Sequence, residues 1–131
     1  MNFLGIDPGK KYFGLALGEE KLKMAFPYRV LEFTKIKDLI NDLKNILAKE
    51  KIDKIIIGRP LNFQGNPTMI TKDLDEIIKQ LEKEIEIPLV SFDERLTSKM
   101  ANRLLVGQKK NHAVAAQIIL QDYLDKILSK K

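Results

Sequence analysis

A chain of 131 residues, 44% hydrophobic and 31% charged, has the size and balance of one compact domain with a sizeable core rather than of a disordered tail. It contains no cysteine, which excludes a disulfide framework and any thiolate metal site and agrees with a reducing cytoplasm. The formal net charge of +5, carried mostly by lysine, favours a polyanionic partner such as nucleic acid, although a thermophile-like surface rich in Lys and Glu has the same bias.

Met1 to Asp7 shows no basic leader and carries an acid inside its apolar run, so no signal peptide is expected. No apolar stretch approaches the ~20 residues of a bilayer span. Asn2 to Ile6 reads as a first strand that stops at Asp7-Pro8-Gly9, where Pro presets φ and Gly tolerates a positive one. Tyr12 to Gly18 reads as a second strand. Leu22 to Leu31 reads as a third, with Pro27 placing it at an edge or a bulge.

Helical spacing follows in Ile36, Leu39, Ile40, Leu43, Ile46 and Leu47, with Thr34 as the expected N-cap. Ile52 to Ile57 is a short β-branched run, which reads as a buried parallel strand ending at Gly58. A loop from Arg59 to Pro67 leads into a second helix over Thr68–Glu84, with Ile70, Leu74, Ile77, Ile78 and Leu81 on one face. Ile87 to Phe92 is the last expected strand. Helices over Ser98–Val106 and from about Asn111 to Leu128 complete the chain, with a break at Gly107–Asn111.

There is no internal repeat, low-complexity tract or linker, so residues 1–131 are expected to form a single domain. The order βββ, α, β, α, β, α, α joins an antiparallel meander to a parallel βαβ segment. This is the ribonuclease H-like order: an α/β fold with a mixed five-stranded sheet flanked by helices.

Candidate chemistry begins at Asp7. An acid at the end of a buried strand costs free energy unless it is hydrogen-bonded, paired or bound to a cation. Asp-Pro-Gly is also ordinary turn chemistry, in which the carboxylate satisfies nearby N–H groups. Asp93-Glu94-Arg95 directly follows the last strand, where sites in open α/β sheets collect. Adjacent strand residues point to opposite faces, so one of the two acids suits a given site. The pair could equally cap the next helix, and Arg95 could neutralise Asp93 or contact phosphate bidentately.

If the first and last strands lie close in one sheet, Asp7 and Glu94 converge at its edge. Carboxylates without thiolates describe a hard-cation site for Mg²⁺ or Mn²⁺, which would polarise a phosphodiester. His112 lies four residues before Ala116 and so shares the inward face at the open end of the last helix. A solvated helix-start imidazole is the alternative. Arg59 and Asn62, beside Gly58, could contact phosphate or sugar. Lys10, Lys11, Lys109 and Lys110 flank the proposed site in sequence, although paired lysines are most often solvated.

Four blocks carry a family resemblance: Gly5-Ile6-Asp7-Pro8-Gly9-Lys10-Lys11-Tyr12-Phe13-Gly14-Leu15-Ala16; Gly58-Arg59-Pro60-Leu61-Asn62 with Gly65; Asp93-Glu94-Arg95-Leu96-Thr97-Ser98; and Ala115 to Leu124. In this order they resemble the YqgF/RuvX family and span essentially the whole chain. The resemblance implies a cytoplasmic ribonuclease H-like nuclease, described both as a Holliday junction resolvase and as a processor of the 5′ end of pre-16S rRNA. It implies Asp7 and Glu94 as metal-binding acids, with Asp93 a further candidate.

The chain departs from the family pattern at the start of the last helix, where His112 replaces the usual Asp and the preceding basic loop is short. Related resolvases can use a His in the comparable region, so the expected site is Asp7, Glu94 and His112. The imidazole lowers the site's negative charge by one unit, and the short loop narrows the surface that could hold substrate.

The expected activity is phosphodiester hydrolysis on structured RNA or branched DNA by a monomer or homodimer. Symmetric cutting of two strands requires a two-fold pair of sites. A non-catalytic nucleic-acid or ribosome-associated module, with a decayed site, is the competing reading. A sugar-kinase or actin-like lobe also has an Asp-x-Gly turn, but 131 residues are too few for its two lobes.

Overall fold

Alternation along the first strand decides how the molecule is layered. The computed structural model describes residues 1–9, 11–59, 69–93 and 112–128, with side-chain positions except at 59, 69–73, 93, 127 and 128. The expected helix over Ser98–Val106 and the break at Gly107–Asn111 lie outside the described residues.

Strands β1 (Asn2–Asp7), β2 (Tyr12–Glu19) and β3 (Met24–Glu32) form the meander. Helix α1 (Ile36–Lys49) leads to β4 (Lys54–Arg59), α2 (Met69–Glu84) to β5 (Leu89–Asp93), and α3 (His112–Tyr123) continues as a π-helical segment over Leu124–Leu128. The sheet order is β3-β2-β1-β4-β5. β1–β2 and β2–β3 are antiparallel, and β1–β4 and β4–β5 are parallel. The expected mixed five-stranded sheet is therefore present. Pro27 lies in the edge strand β3, at an irregularity opposite Leu15 and Ala16, where a missing N–H is tolerated.

Leu4 and Ile6 of β1 join one core with Leu39 and Leu43 of α1 and Leu74 and Leu81 of α2. The other face takes Phe3, Ala16 and Ile56 against Ala116, Ile119, Leu120 and Tyr123 of α3. Each fully buried Leu or Ile contributes roughly 1.5–3 kcal/mol of transfer free energy, so both faces are firmly covered.

Small residues allow α3 to sit close. An added Cβ at Gly5 would lie 2.8 Å from Leu120 Cβ and 3.1 Å from the Ala116 carbonyl oxygen. Gln117 and Gln121 then tie α3 to the start of β3. Gln117 Nε2 donates to the Ala25 carbonyl at 3.0 Å, and the Ala25 N–H donates to Gln121 Oε1 at 2.9 Å.

Three local expectations are corrected. Thr34 is not the N-cap of α1: Lys35 holds that place, without a side-chain cap bond, and its carbonyl accepts from the Asp38 and Leu39 N–H groups. Phe33 is buried and bonded to the Lys11 carbonyl, so the helix starts only after the chain has left that anchor. Ile52 belongs to the cap that closes α1 rather than to β4. Lys51 takes a φ of 53°, and the Lys51 and Ile52 N–H groups bond back to Ala48 and Leu47, a Schellman closure. Ile87 precedes β5, because Pro88 brings no N–H to the ladder and only its carbonyl pairs, with Ile55.

Among the described residues, no helix is long and apolar enough to cross a membrane.

Candidate active site

The parallel strands β1, β4 and β5 run in one direction, so their carboxyl ends share one rim of the sheet. Asp7 closes β1, Arg59 closes β4 and Asp93 closes β5. Ile6 pairs with Ile57, Gly58 with Phe92 and Arg59 with Asp93, so Asp7 is level with Gly58 and Phe92.

Asp7 has the parity of Phe3 and Gly5, which face α3. Its side chain is 1% exposed, and it is the buried charged residue among those described. A carboxylate so placed is held only where polar partners or positive charge compensate its lost hydration. One partner arrives with α3, where His112 Nδ1 stands 3.3 Å from Asp7 Oδ2 and the imidazole is 30% exposed. One edge of the ring is thus engaged while the side chain still reaches solvent.

Gly14 makes this approach possible. It pairs with Asp7 across β1–β2, and a Cβ there would collide with the carbonyl group of His112 and lie 2.9 Å from the Ala113 nitrogen. The first turn of α3 therefore rests directly on the β2 backbone. Tyr12 completes the rim: its ring lies 5.6 Å from the His112 ring at 33°, and Lys11 Nζ lies 5.7 Å from the Tyr12 centroid on the same strand end.

Of the residues expected at the site, Asp7 and His112 are brought together, and Lys11 stands beside them through Tyr12. The backbones of Arg59 and Asp93 end their strands at the same rim. Glu94, Lys10, Asn62, Arg95, Lys109 and Lys110 lie outside the described residues, and so does any contact they make. Among the described residues, no group of three or more His, Asp or Glu side chains is assembled for an ion.

Sequence reasoning placed Tyr12 and Gly14 in a strand and in the first family block but gave neither a role at the site. A glycine inside a strand is a signal of close backbone approach. Gly14, opposite Asp7 and just after an aromatic pair, could have been read that way.

A family model described as RuvX, Holliday junction resolvase, matches residues 1–126. A protein of Rickettsia africae named "Putative pre-16S rRNA nuclease" is 37% identical over 132 aligned positions, covering 95% of this chain and 86% of its own. A protein of Maridesulfovibrio salexigens with the same name is 36% identical, covering 95% and 98%. Among solved structures, Thermus thermophilus RuvC in complex with a Holliday junction superposes with a TM-score of 0.64 at 14% identity, covering 98% of this chain and 96% of that one. The fowlpox virus resolvase with Holliday junction DNA gives 0.57 at 12% identity, covering 98% and 99%. At such identities these likenesses show the shared fold, which is the ribonuclease H-like arrangement expected from the order of elements.

Proposed function

This chain belongs to the RuvX family and is a nuclease, and from that premise we propose that it hydrolyses phosphodiester bonds in structured nucleic acid with the help of Mg²⁺ or Mn²⁺. The first candidate substrate is the precursor of 16S rRNA, after the names of relatives at 36–37% identity; a four-way DNA junction is the second. A cytoplasmic place of work accords with either.

The observation that carries the reading is the buried Asp7 carboxylate beside His112 at the carboxyl rim of the parallel strands. The donor set suits a divalent ion. Carboxylate oxygen is the usual ligand of Mg²⁺ and Mn²⁺, and the imidazole of His112, whose Nδ1 lies 3.3 Å from Asp7 Oδ2, offers a nitrogen beside it. When bound, such an ion supplies charge neutralisation at the phosphoryl oxygens and activation of the attacking water.

Asp7, Glu94 and His112 would hold it. β1 and β5 are separated by β4, two strand spacings or about 9.6 Å. An Asp and a Glu side chain on one face can close that gap around a cation. An extended continuation of β5 by one residue would give position 94 the parity of Phe92, which packs on the α3 side. That argument favours Glu94 over Asp93. His112 can instead accept and return a proton at the ring edge turned away from Asp7. Arg59 and Arg95 would contact phosphates, and Lys10, Lys11, Asn62, Lys109 and Lys110 would line the substrate path. Junction resolution would further require a homodimer, whereas single-site RNA cleavage would not.

The test is cleavage of 16S rRNA precursor and of four-way junctions side by side, with and without Mn²⁺, for the parent chain and Asp7→Asn. Metal-dependent cutting by the parent alone supports the reading. Equal cutting by Asp7→Asn overturns it, and so does failure to bind Mn²⁺ at millimolar concentration, which would leave a nucleic-acid-binding module.

A further inference from the structure

His112 needs more than Asp7 to act from a fixed position. It is the first residue of α3, and its side chain is 30% exposed. A hydrogen bond from one ring nitrogen selects which edge of the imidazole faces Asp7, but leaves the ring free to tilt about that contact. A second surface is needed to fix the plane. Tyr12 provides one, with ring centroids 5.6 Å apart and planes inclined by 33°, within the range of offset aromatic contacts. Tyr12 is itself the first residue of β2, paired with Glu32 of β3 and two residues before Gly14, on which the His112 backbone rests. The aromatic ring and the seat of the histidine thus belong to the same strand end, and Lys11 Nζ lies over the Tyr12 ring at 5.7 Å.

We propose that Tyr12 is a positioning residue: its ring fixes the plane of the His112 imidazole, while Asp7 fixes which nitrogen it meets. The Nδ1 edge is thereby turned to Asp7, and the Nε2 edge is held in one orientation. This division of labour rests on the nuclease reading only in its kinetic consequence. The geometric part concerns three side chains of the free protein.

His112 is the only histidine of the chain, so imidazole nitrogen NMR reports it without ambiguity. In the metal-free parent at a pH where the ring is neutral, one tautomer is expected, with Nδ1 carrying the proton shared with Asp7. Tyr12→Phe keeps this signature and keeps kcat. Tyr12→Leu keeps the tautomer, which Asp7 selects, but the order parameter of the imidazole C–H bonds falls, and its kcat falls by about ten- to a hundredfold at little-changed KM, the size expected of a misplaced reacting group. Should Tyr12→Leu fail to fold, Tyr12→Met is the replacement and carries the same expectations.

The proposal is overturned if the ring-less variant retains both the parental imidazole order parameter and the parental kcat. It is also overturned if Tyr12→Phe loses kcat as severely as Tyr12→Leu, which would make the hydroxyl and not the ring the active feature. A parent chain that keeps the tautomer signature but cuts neither substrate would sink the nuclease reading and leave the positioning intact.

Discussion

His112 Nδ1 and Asp7 Oδ2, 105 residues apart in the chain, meet at 3.3 Å where the amino end of α3 crosses the carboxyl end of β1. The contact places an imidazole on the buried carboxylate of the sheet rim, and its consequences can be measured.

Asp7→Asn preserves the shape of the side chain and its capacity to meet His112, but removes the charge. Cleavage should fall by more than about a hundredfold, since charge stabilisation of several kcal/mol is lost and each ~1.4 kcal/mol is tenfold. The melting temperature should hold or rise, because a neutral amide is less costly to bury. Kinetics and thermal melts on the same preparation decide the point.

Glu94→Gln and Asp93→Asn separate the two neighbouring acids. If strand parity selects Glu94, its variant should lose cleavage and Mn²⁺ binding together, while Asp93→Asn keeps the greater part of both. The reverse order, read by calorimetric Mn²⁺ titration, would move the metal-binding role to Asp93.

Gly14→Ala introduces a methyl group into the space held by the His112 carbonyl, so the first turn of α3 must lift from β2. Overpacking of this kind costs about 1–3 kcal/mol. Activity should fall further than stability, because the displacement draws His112 away from Asp7. A variant as active as the parent would show that α3 need not rest on β2 for catalysis.

Gln121→Ala acts far from the rim and supplies the contrast. It removes the acceptor of the Ala25 N–H and the donor to the Lys23 carbonyl, which lies 2.9 Å from Gln121 Nε2. Leaving a part-buried N–H without its partner costs about 1–3 kcal/mol. A lower melting temperature with unchanged kcat is expected from denaturation and steady-state kinetics.

Binding to RNA should weaken as salt rises, in proportion to the number of phosphates contacted. Substituting Lys11 by Ala should reduce the slope of log affinity against log salt by about one unit. An unchanged slope would remove Lys11 from the substrate path.

Much of the architecture was legible from residues near one another in the chain. Short apolar runs and the turn residues between them located β1, β2 and β3, Pro27 marked the edge strand, and the spacing Leu39, Ile40, Leu43, Ile46 and Leu47 defined the buried face of α1. Errors fell at boundaries, where Thr34, Ile52 and Ile87 were claimed by tertiary anchors and backbone caps that leave little trace in hydrophobic patterning. The position of Asp7 at a strand end and of His112 at a helix start, with Ala116 one turn on, was equally readable.

Which partners those residues meet was decided only when the sheet assembled. A strand with alternating faces does not say which face a given helix will cover. α3 adds little direction of its own, since Val114 is apolar yet exposed beside the buried Ala116. Local periodicity records a residue's burial, whereas the meeting of Asp7, Tyr12, Gly14 and His112 depends on strand order and on how closely one helix can approach a backbone without side chains. That is a property of the packed sheet, set by contacts across more than a hundred residues.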